Sequence, residues 1–333
     1  VTHNADKGLT LNSKDISGVK SINGTDSGSG ANYGQIGGRR NMVYNGDMAV
    51  AQRGSSISIA AGAYLNGACD RWWGWSGSAV AFDMKTSTVT PDGFYNSLHL
   101  DVTTADASLA AGDAMYLHQK FEGQDLQGFN KGDANARPVT VSFWVRSPKT
   151  GVHICELDDK DNTRFCSQSY TIAVADTFEY HSVTFPADTT GAFTNDNALS
   201  LYLNFWLQAG STYSGGGSLG TTWHTTTNTR VVGQVNVGDN TSNNFYITGV
   251  QMELGDTATA FEYESPPENL IRCNRYYYKI TSMTAYLYDL GGSGTYRRIT
   301  FTHPPMRTNT PTGAISGTIT TAASQGFQYA QEK

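Results

Sequence analysis

Two stretches of the chain alternate between aliphatic residues and residues that carry rings or hydrogen-bonding groups. In 139–146, Val139, Val141, Phe143 and Val145 fall on one side, and Thr140, Ser142, Trp144 and Arg146 on the other. In 200–208, Leu201, Leu203, Phe205 and Leu207 fall on one side, and Tyr202, Asn204, Trp206 and Gln208 on the other. A period of two predicts half-buried β-strands, with the aliphatic sets facing a core. The second sets have the chemistry that a sugar needs. Flat pyranose faces stack on indole and phenol planes, while equatorial hydroxyls need fixed amide and guanidinium partners. Trp144, Arg146, Tyr202, Asn204, Trp206 and Gln208 are therefore the candidate ligand-binding residues. The competing reading puts the same side chains under a loop or in a subunit interface, where Trp, Tyr and Arg are also enriched.

Other stretches with chemical potential are weaker. DRWWGW (70–75) holds three of the six tryptophans, and alternation must send Trp72 and Trp73 to opposite faces. We read that cluster as structural, with Asp70 and Arg71 tying loops. Asp158, Asp159 and Asp161, with Asn162, make an acidic turn whose oxygens suit Ca²⁺ but lack EF-hand spacing. They are a weak metal candidate, and a solvated hairpin tip explains them as well. GGGSLG (215–220) formally matches two glycine-rich motifs, yet Thr221, Thr222 and Trp223 follow, a poor start for the helix both motifs require. It reads as a flexible loop. The seven histidines show no zinc spacing. Cys155 and Cys166 could face each other across a hairpin, as two reduced thiols rather than a bridge.

These side chains need a scaffold, and the composition describes one. Among 333 residues there are 36 glycines, 9 prolines and only 16% charged residues, which favours short strands and tight turns over amphipathic helices. The apolar fraction of 38% lies below the usual ~45–50%, so thin cores, aromatic bulk or burial between subunits must compensate. A net charge of −6 without a long Lys/Arg cluster argues against nucleic acid as a partner. No apolar run approaches the roughly 18 residues of a membrane span, no signal peptide is visible at Val1, and the missing initiator Met suggests that the sequence starts inside a longer product.

The expected fold class is all-β, an antiparallel jelly-roll-like β-sandwich. Its strands are predicted at 42–51, 71–75, 79–86, 94–103, 114–121, 139–146, 152–157, 164–171, 177–185, 200–207, 230–236 and 245–253, with turn clusters between them. The first and last are the expected opening and closing strands. Residues 1–38, polar and rich in Gly, Ser and Asn, form an extended attachment arm or linker. The sandwich occupies 39–265. A small β unit fills 266–333, with a short helix at 268–276 and strands at 278–290, 296–302 and 312–320, truncated or completed by neighbouring subunits.

Several motifs, taken in order, resemble a domain of bacteriophage fibre proteins. They are RRNMVYNGDMAVAQRG (39–54), ACDRW (68–72), YLHQ-K-FEG (116–123), VSFWVR (141–146), YITGVQMELG (246–255) with ATAFE (258–262), and CNRYY (273–277). PMR (305–307) and TPT (310–312) resemble the unit that follows in many such fibres. The strand plan also looks like that of jelly-roll carbohydrate-binding modules. The resemblance implies a virion appendage, tail or capsid fibre, usually trimeric and often in contact with host-surface glycan. In that setting the arm at 1–38 is expected to join other virion proteins, no catalytic residues are expected, and the likeness to carbohydrate-binding jelly rolls leaves at most a structural Ca²⁺ as cofactor.

The leading expectation is thus a non-enzymatic adhesin that attaches a virion to its host through weak multivalent glycan binding. The alternatives are a purely structural fibre or capsid decoration protein, and a glycan hydrolase, which would need two carboxylates at a set separation.

Overall fold

The computed structural model describes residues 39–283, together with 2–4, 8–10, 304–307, 312–315 and 325–330. Near the N-terminus β1 (Thr2–Asn4) and β2 (Gly8–Thr10) pair antiparallel. The rest of the predicted arm lies outside the described residues. Then follow β3 (Ser56–Ile59), β4 (Tyr64–Asn66), β5 (Trp72–Ser76), β6 (Ala81–Ser87), β7 (Ser97–Thr104) and β8 (Ala114–Glu122). After a 3-10 turn at Gly123–Phe129 come β9 (Val139–Arg146), β10 (Gly151–Asp159), β11 (Arg164–Ile172) and β12 (Glu179–Phe185). The last two sandwich strands are β13 (Leu199–Ala209) and β14 (Asn244–Leu254).

These twelve strands make two antiparallel sheets of six, ordered β11-β10-β13-β8-β5-β4 and β12-β9-β14-β7-β6-β3. The fold is the antiparallel sandwich that alternation demanded. Val139, Val141, Phe143 and Val145 are buried, as are Leu201, Leu203 and Phe205. Phe143 of the second sheet meets Phe205 of the first edge to face, with ring centroids 4.9 Å apart. Each residue is fixed there because its neighbours along the strand point the other way.

The expected opening strand at 42–51 is not a strand. Asn41 and Asn45 take over its backbone groups. Asn41 Oδ1 accepts the N–H groups of Val43 and Met252 (3.0 and 3.1 Å), and Asn45 Oδ1 that of Val50 at 2.9 Å. Asn45 and Met48 adopt positive φ, incompatible with a β ladder. The segment still lies along β14, which pairs with β7 only through Asn244–Ile247. Beyond that point the Met42 N–H donates to Met252 O, and the Val250 N–H to Gly46 O, both at 2.9 Å. Gly46 is required because a Cβ there would strike the Val250 carbonyl.

Residues 230–236 are also not a strand; they belong to an irregular excursion between β13 and β14, which includes the short α1 (Ser211–Ser214). Within the sandwich the short strands β3 and β4 escaped prediction, as did β1, β2 and the strand at Gln325–Ala330 outside it. The expected helix appears as α2 (Pro266–Asn274), its Glu268 carboxylate accepting the Ser265 N–H and hydroxyl (3.2 and 2.7 Å). Beyond it β15 (Tyr277–Met283), β16 (Thr312–Ile315) and β17 (Gln325–Ala330) form a sheet ordered β15-β17-β16. The strand expected at 296–302 lies outside the described residues. Cys155 and Cys166 are both free and buried; their strands set Cys155 opposite Gln168 and Cys166 opposite Leu157, so the two thiols are not cross-strand partners.

At the β10–β11 end a lysine is buried. Lys131 Nζ lies 2.6 Å from Asp159 Oδ2 and 3.0 Å from Asp188 Oδ2, and donates to the carbonyls of Thr190 and Gly191. Arg164 reaches the same Asp188. Removing one partner of such a buried set strands the remaining charges. Lys131→Met is expected to lose about 3–5 kcal/mol of stability, measured by urea unfolding against wild type.

Candidate functional site

The sandwich separates the six sequence candidates. Trp144 and Arg146 lie on β9 of the second sheet, whereas Tyr202, Asn204, Trp206 and Gln208 lie on β13 of the first. They do not form one surface. On the second sheet, Trp144 leans on Tyr180 at 5.5 Å, and Arg146 donates to the Asp176 carbonyl and carboxylate at 2.7 and 3.1 Å.

Gln208 departs from the expected face altogether. Register shifts by one residue between Trp206 and Gln208, so that Trp206 sits opposite Tyr116 but Gln208 opposite Met115. A β-bulge resets the alternation there. Gln208 is fully buried against Gly238, so close that any side chain at 238 would collide with its Oε1.

Asn204 and Trp206 do face outward from the first sheet, but the excursion at 210–236 covers them. Trp206, 1% exposed, packs with Ile154 and Val231 and tilts against Tyr213 at 5.3 Å. Beneath it Glu156 is fully buried and accepts four hydrogen bonds. Asn204 Nδ2 and Trp206 Nε1 each donate at 2.9 Å; Arg230 Nε and Nη2, from the excursion, each donate at 2.7 Å. Burial opposes the Arg230 charge, but the carboxylates of Glu156 and Asp158 outweigh it and raise its pKa. This half of the face is a second, smaller core.

The other half of the same face was missed by sequence reasoning. Strand register lays out two rows across it. One runs Asn66–Trp73–His118–Asn204–Glu156, the next Tyr64–Trp75–Tyr116–Trp206–Ile154. Tyr202 borders the first row and stacks on His118 at 4.6 Å. Tyr64, Trp75, Tyr116 and Tyr202 are half-buried, whereas Trp73 and His118 lie beneath them. Lys120 Nζ sits 3.6 Å over the Trp73 ring. Burial, then the nearby Lys120, Lys160 and Arg71, lowers the His118 pKa and keeps the imidazole neutral. Four buried polar atoms along the first row have no protein partner: Asn66 Oδ1, Trp73 Nε1, His118 Nδ1 and Asn204 Oδ1. The signal was present in the sequence. Trp73 and Trp75, and Tyr116, His118 and Lys120, repeat at period two, but without the strand order nothing says that they adjoin Tyr202.

The acidic turn does not bring its three carboxylates together. Asp158 and Asp159 point to opposite faces of β10: Asp158 to Arg230, Asp159 to Lys131 and Asn162. Asp161 turns away to the Thr194 N–H at 2.9 Å. Among the described residues no three His, Cys, Asp or Glu side chains are grouped to hold a metal.

The motifs of 39–54, 68–72, 121–123 and 273–277 also converge, but on a junction. Gln52 bonds Asp70 and the Tyr277 carbonyl (2.6 and 2.9 Å). Arg71 lies over the Tyr276 ring at 3.4 Å, and Glu122 accepts from Arg275 and Tyr276. These residues fasten α2 and β15 to the sandwich.

Two expectations follow. Trp206→Ala should destabilise the chain by about 3–5 kcal/mol, read by thermal or urea unfolding, because it empties the second core and strips Glu156 of a donor. Asp158 gives a pH signature. Burial, and then repulsion from Glu156, pushes its pKa up to about 6, against Arg230 and Lys160. The folded state therefore binds this proton more tightly than the unfolded chain. Stability from this group is present below pH ~4 and is lost as pH rises through about 6. Asp158→Asn should gain in melting temperature relative to wild type on going from pH 4.5 to pH 7.5.

No protein-family model matches the chain, and no curated protein matches it in sequence. Among solved structures it is similar to the enzymatically active domain of tailspike protein 4 of bacteriophage CBA120, with TM-score 0.33 and 15% identity, over 64% of this chain and 21% of that one. It is similar to the family 11 carbohydrate-binding module of a cellulosomal cellulase of Clostridium thermocellum (TM-score 0.32, 11% identity, 60% of this chain and 99% of that one). A structure described as a sugar binding protein of Bacteroides thetaiotaomicron gives TM-score 0.35 at 11% identity over 65% of this chain and 100% of that one.

Proposed function

We propose that this chain is a non-catalytic glycan-binding protein, and that its site is the half-open aromatic floor formed by Trp73, Trp75, Tyr116, His118 and Tyr202 on the first sheet. The observation that carries this reading is the pair of buried polar atoms, Trp73 Nε1 and His118 Nδ1, that have no protein partner within that floor. A buried donor or acceptor left unmatched costs about 1–3 kcal/mol, and hydroxyl groups of a sugar seated on the rings would satisfy them. Aromatic planes with fixed polar atoms between them are what a pyranose needs.

The setting we propose is a bacteriophage virion appendage, tail or capsid fibre, that attaches to host-surface glycan. It rests on the ordered motifs in the sequence. Homotrimers would multiply weak sites into useful avidity, and the N-terminal arm would join other virion proteins. The hydrolase alternative has less to build on, since Glu156 commits both oxygens to Arg230, Asn204 and Trp206 and leaves its neighbour Asp158 without a reacting carboxylate partner.

Binding to an immobilised panel of hexose-, hexosamine- and deoxyhexose-containing oligosaccharides tests the reading. Trp75→Ala and Tyr202→Ala should each weaken binding about tenfold or more, ~1.4 kcal/mol, at a temperature where thermal unfolding shows each variant fully folded. Retention of no glycan, or binding indifferent to both variants, would overturn it.

A further inference from the structure

We infer that Tyr64 is an internal stand-in for the ligand, which an incoming sugar must displace; this rests on the glycan-binding reading above. Tyr64 stacks on Trp73 with ring centroids 4.8 Å apart and planes 24° from parallel. Its hydroxyl is joined to His118 Nε2 by a hydrogen bond of 2.7 Å and also bonds the Tyr202 hydroxyl. A flat ring laid on an indole, with a hydroxyl delivered to an imidazole and a phenol, copies the contacts that a pyranose would make at the same spot. The result is that Trp73 is only 6% exposed and His118 not at all.

The element that carries Tyr64 is built to let go. β4 has three residues and hydrogen-bonds only to β5, at the edge of the sheet. Gly62 precedes it at positive φ, and Leu65 beside Tyr64 is 43% exposed. Edge segments with few buried contacts open at low free energy. Under Tyr64, by contrast, the floor is fixed: Trp73 and His118 are central in the row between β4 and β13. The phenol has one hydroxyl at its tip, so it leaves Trp73 Nε1 and His118 Nδ1 unmatched. A sugar ring, with hydroxyls around its edge, has groups for both. Exchange of Tyr64 for the ligand is thereby selective for a polyhydroxylated ring over a plain aromatic one.

A ligand that competes with a tethered group binds less tightly by the fraction of molecules in which that group is out of the way. Tyr64→Ala removes the competitor. Its affinity for the oligosaccharide panel should rise about tenfold over wild type, and Tyr64→Phe, which keeps the ring and drops the hydroxyl, should rise by a smaller factor. Acrylamide quenching of tryptophan fluorescence should increase in Tyr64→Ala, with the increase absent in a Trp73→Phe background. Weaker or unchanged binding by Tyr64→Ala, while wild type binds and Trp75→Ala does not, would overturn the inference and leave the glycan site standing. If neither wild type nor Tyr64→Ala retains any oligosaccharide, the underlying reading falls and the inference falls with it. Loss of binding in Tyr64→Ala through unravelling of β4 is told apart by Tyr64→Phe, whose affinity must still exceed that of wild type.

Discussion

Burying Glu156 beneath Arg230 decides what the outer face of the first sheet can do. The carboxylate stands at the centre of β10 and is out of water, a position that is tolerable only because four donors surround it. Two of those donors come from Arg230, far along the chain in the excursion between β13 and β14. The bidentate pair therefore draws an irregular segment onto the sheet and seals Trp206 under it. An open aromatic face spanning the whole sheet becomes two unequal halves, one packed as a small core, the other half-open over β4, β5, β8 and β13.

The second constraint lies at the far end of the sandwich. Asn41, Asn45, Gln52, Asp70, Arg71, Glu122 and the CNRYY segment form one hydrogen-bonded and cation–π junction that carries α2 and β15. Their chemistry is that of a joint: Asn41, Asn45, Gln52, Asp70 and Arg71 satisfy backbone groups at a place where no ladder exists, and Glu122 ties Arg275 and Tyr276 side chain to side chain. The residues facing the half-open floor lie mostly outside it, on β4 and at Trp73, Trp75 and Tyr202.

Much of the fold was legible because alternation is a local property. Phe143, Phe205 and Trp72 went inward and Trp144 outward as period two requires. Three things were not local. Asn41 and Asn45 replaced a strand by side-chain bonds to distant backbone, which apolar pattern alone cannot reveal. The bulge at Leu207 turned Gln208 inward, and nothing in LQAG announces an extra residue. The strand order placed Trp144 and Trp206 in different sheets, so residues with the same pattern could not share a site. Alternation gave each strand its two faces, but topology chose which strands adjoin.

Two of the tryptophans that face outward from the first sheet make the difference between its halves physical. Trp206 and Trp73 are almost equally buried, at 1% and 6% exposure. Trp206 donates its indole N–H to Glu156; Trp73 donates to no protein atom. Were both simply core residues, burial of the second would carry an uncompensated desolvation that a polar neighbour could have removed. The same holds for the neighbouring His118 Nδ1 and Asn204 Oδ1, which lie in one cross-strand row with it. On the first sheet, then, two indoles of nearly equal burial differ in that one is tied to a carboxylate and the other lies stacked against the Tyr64 ring.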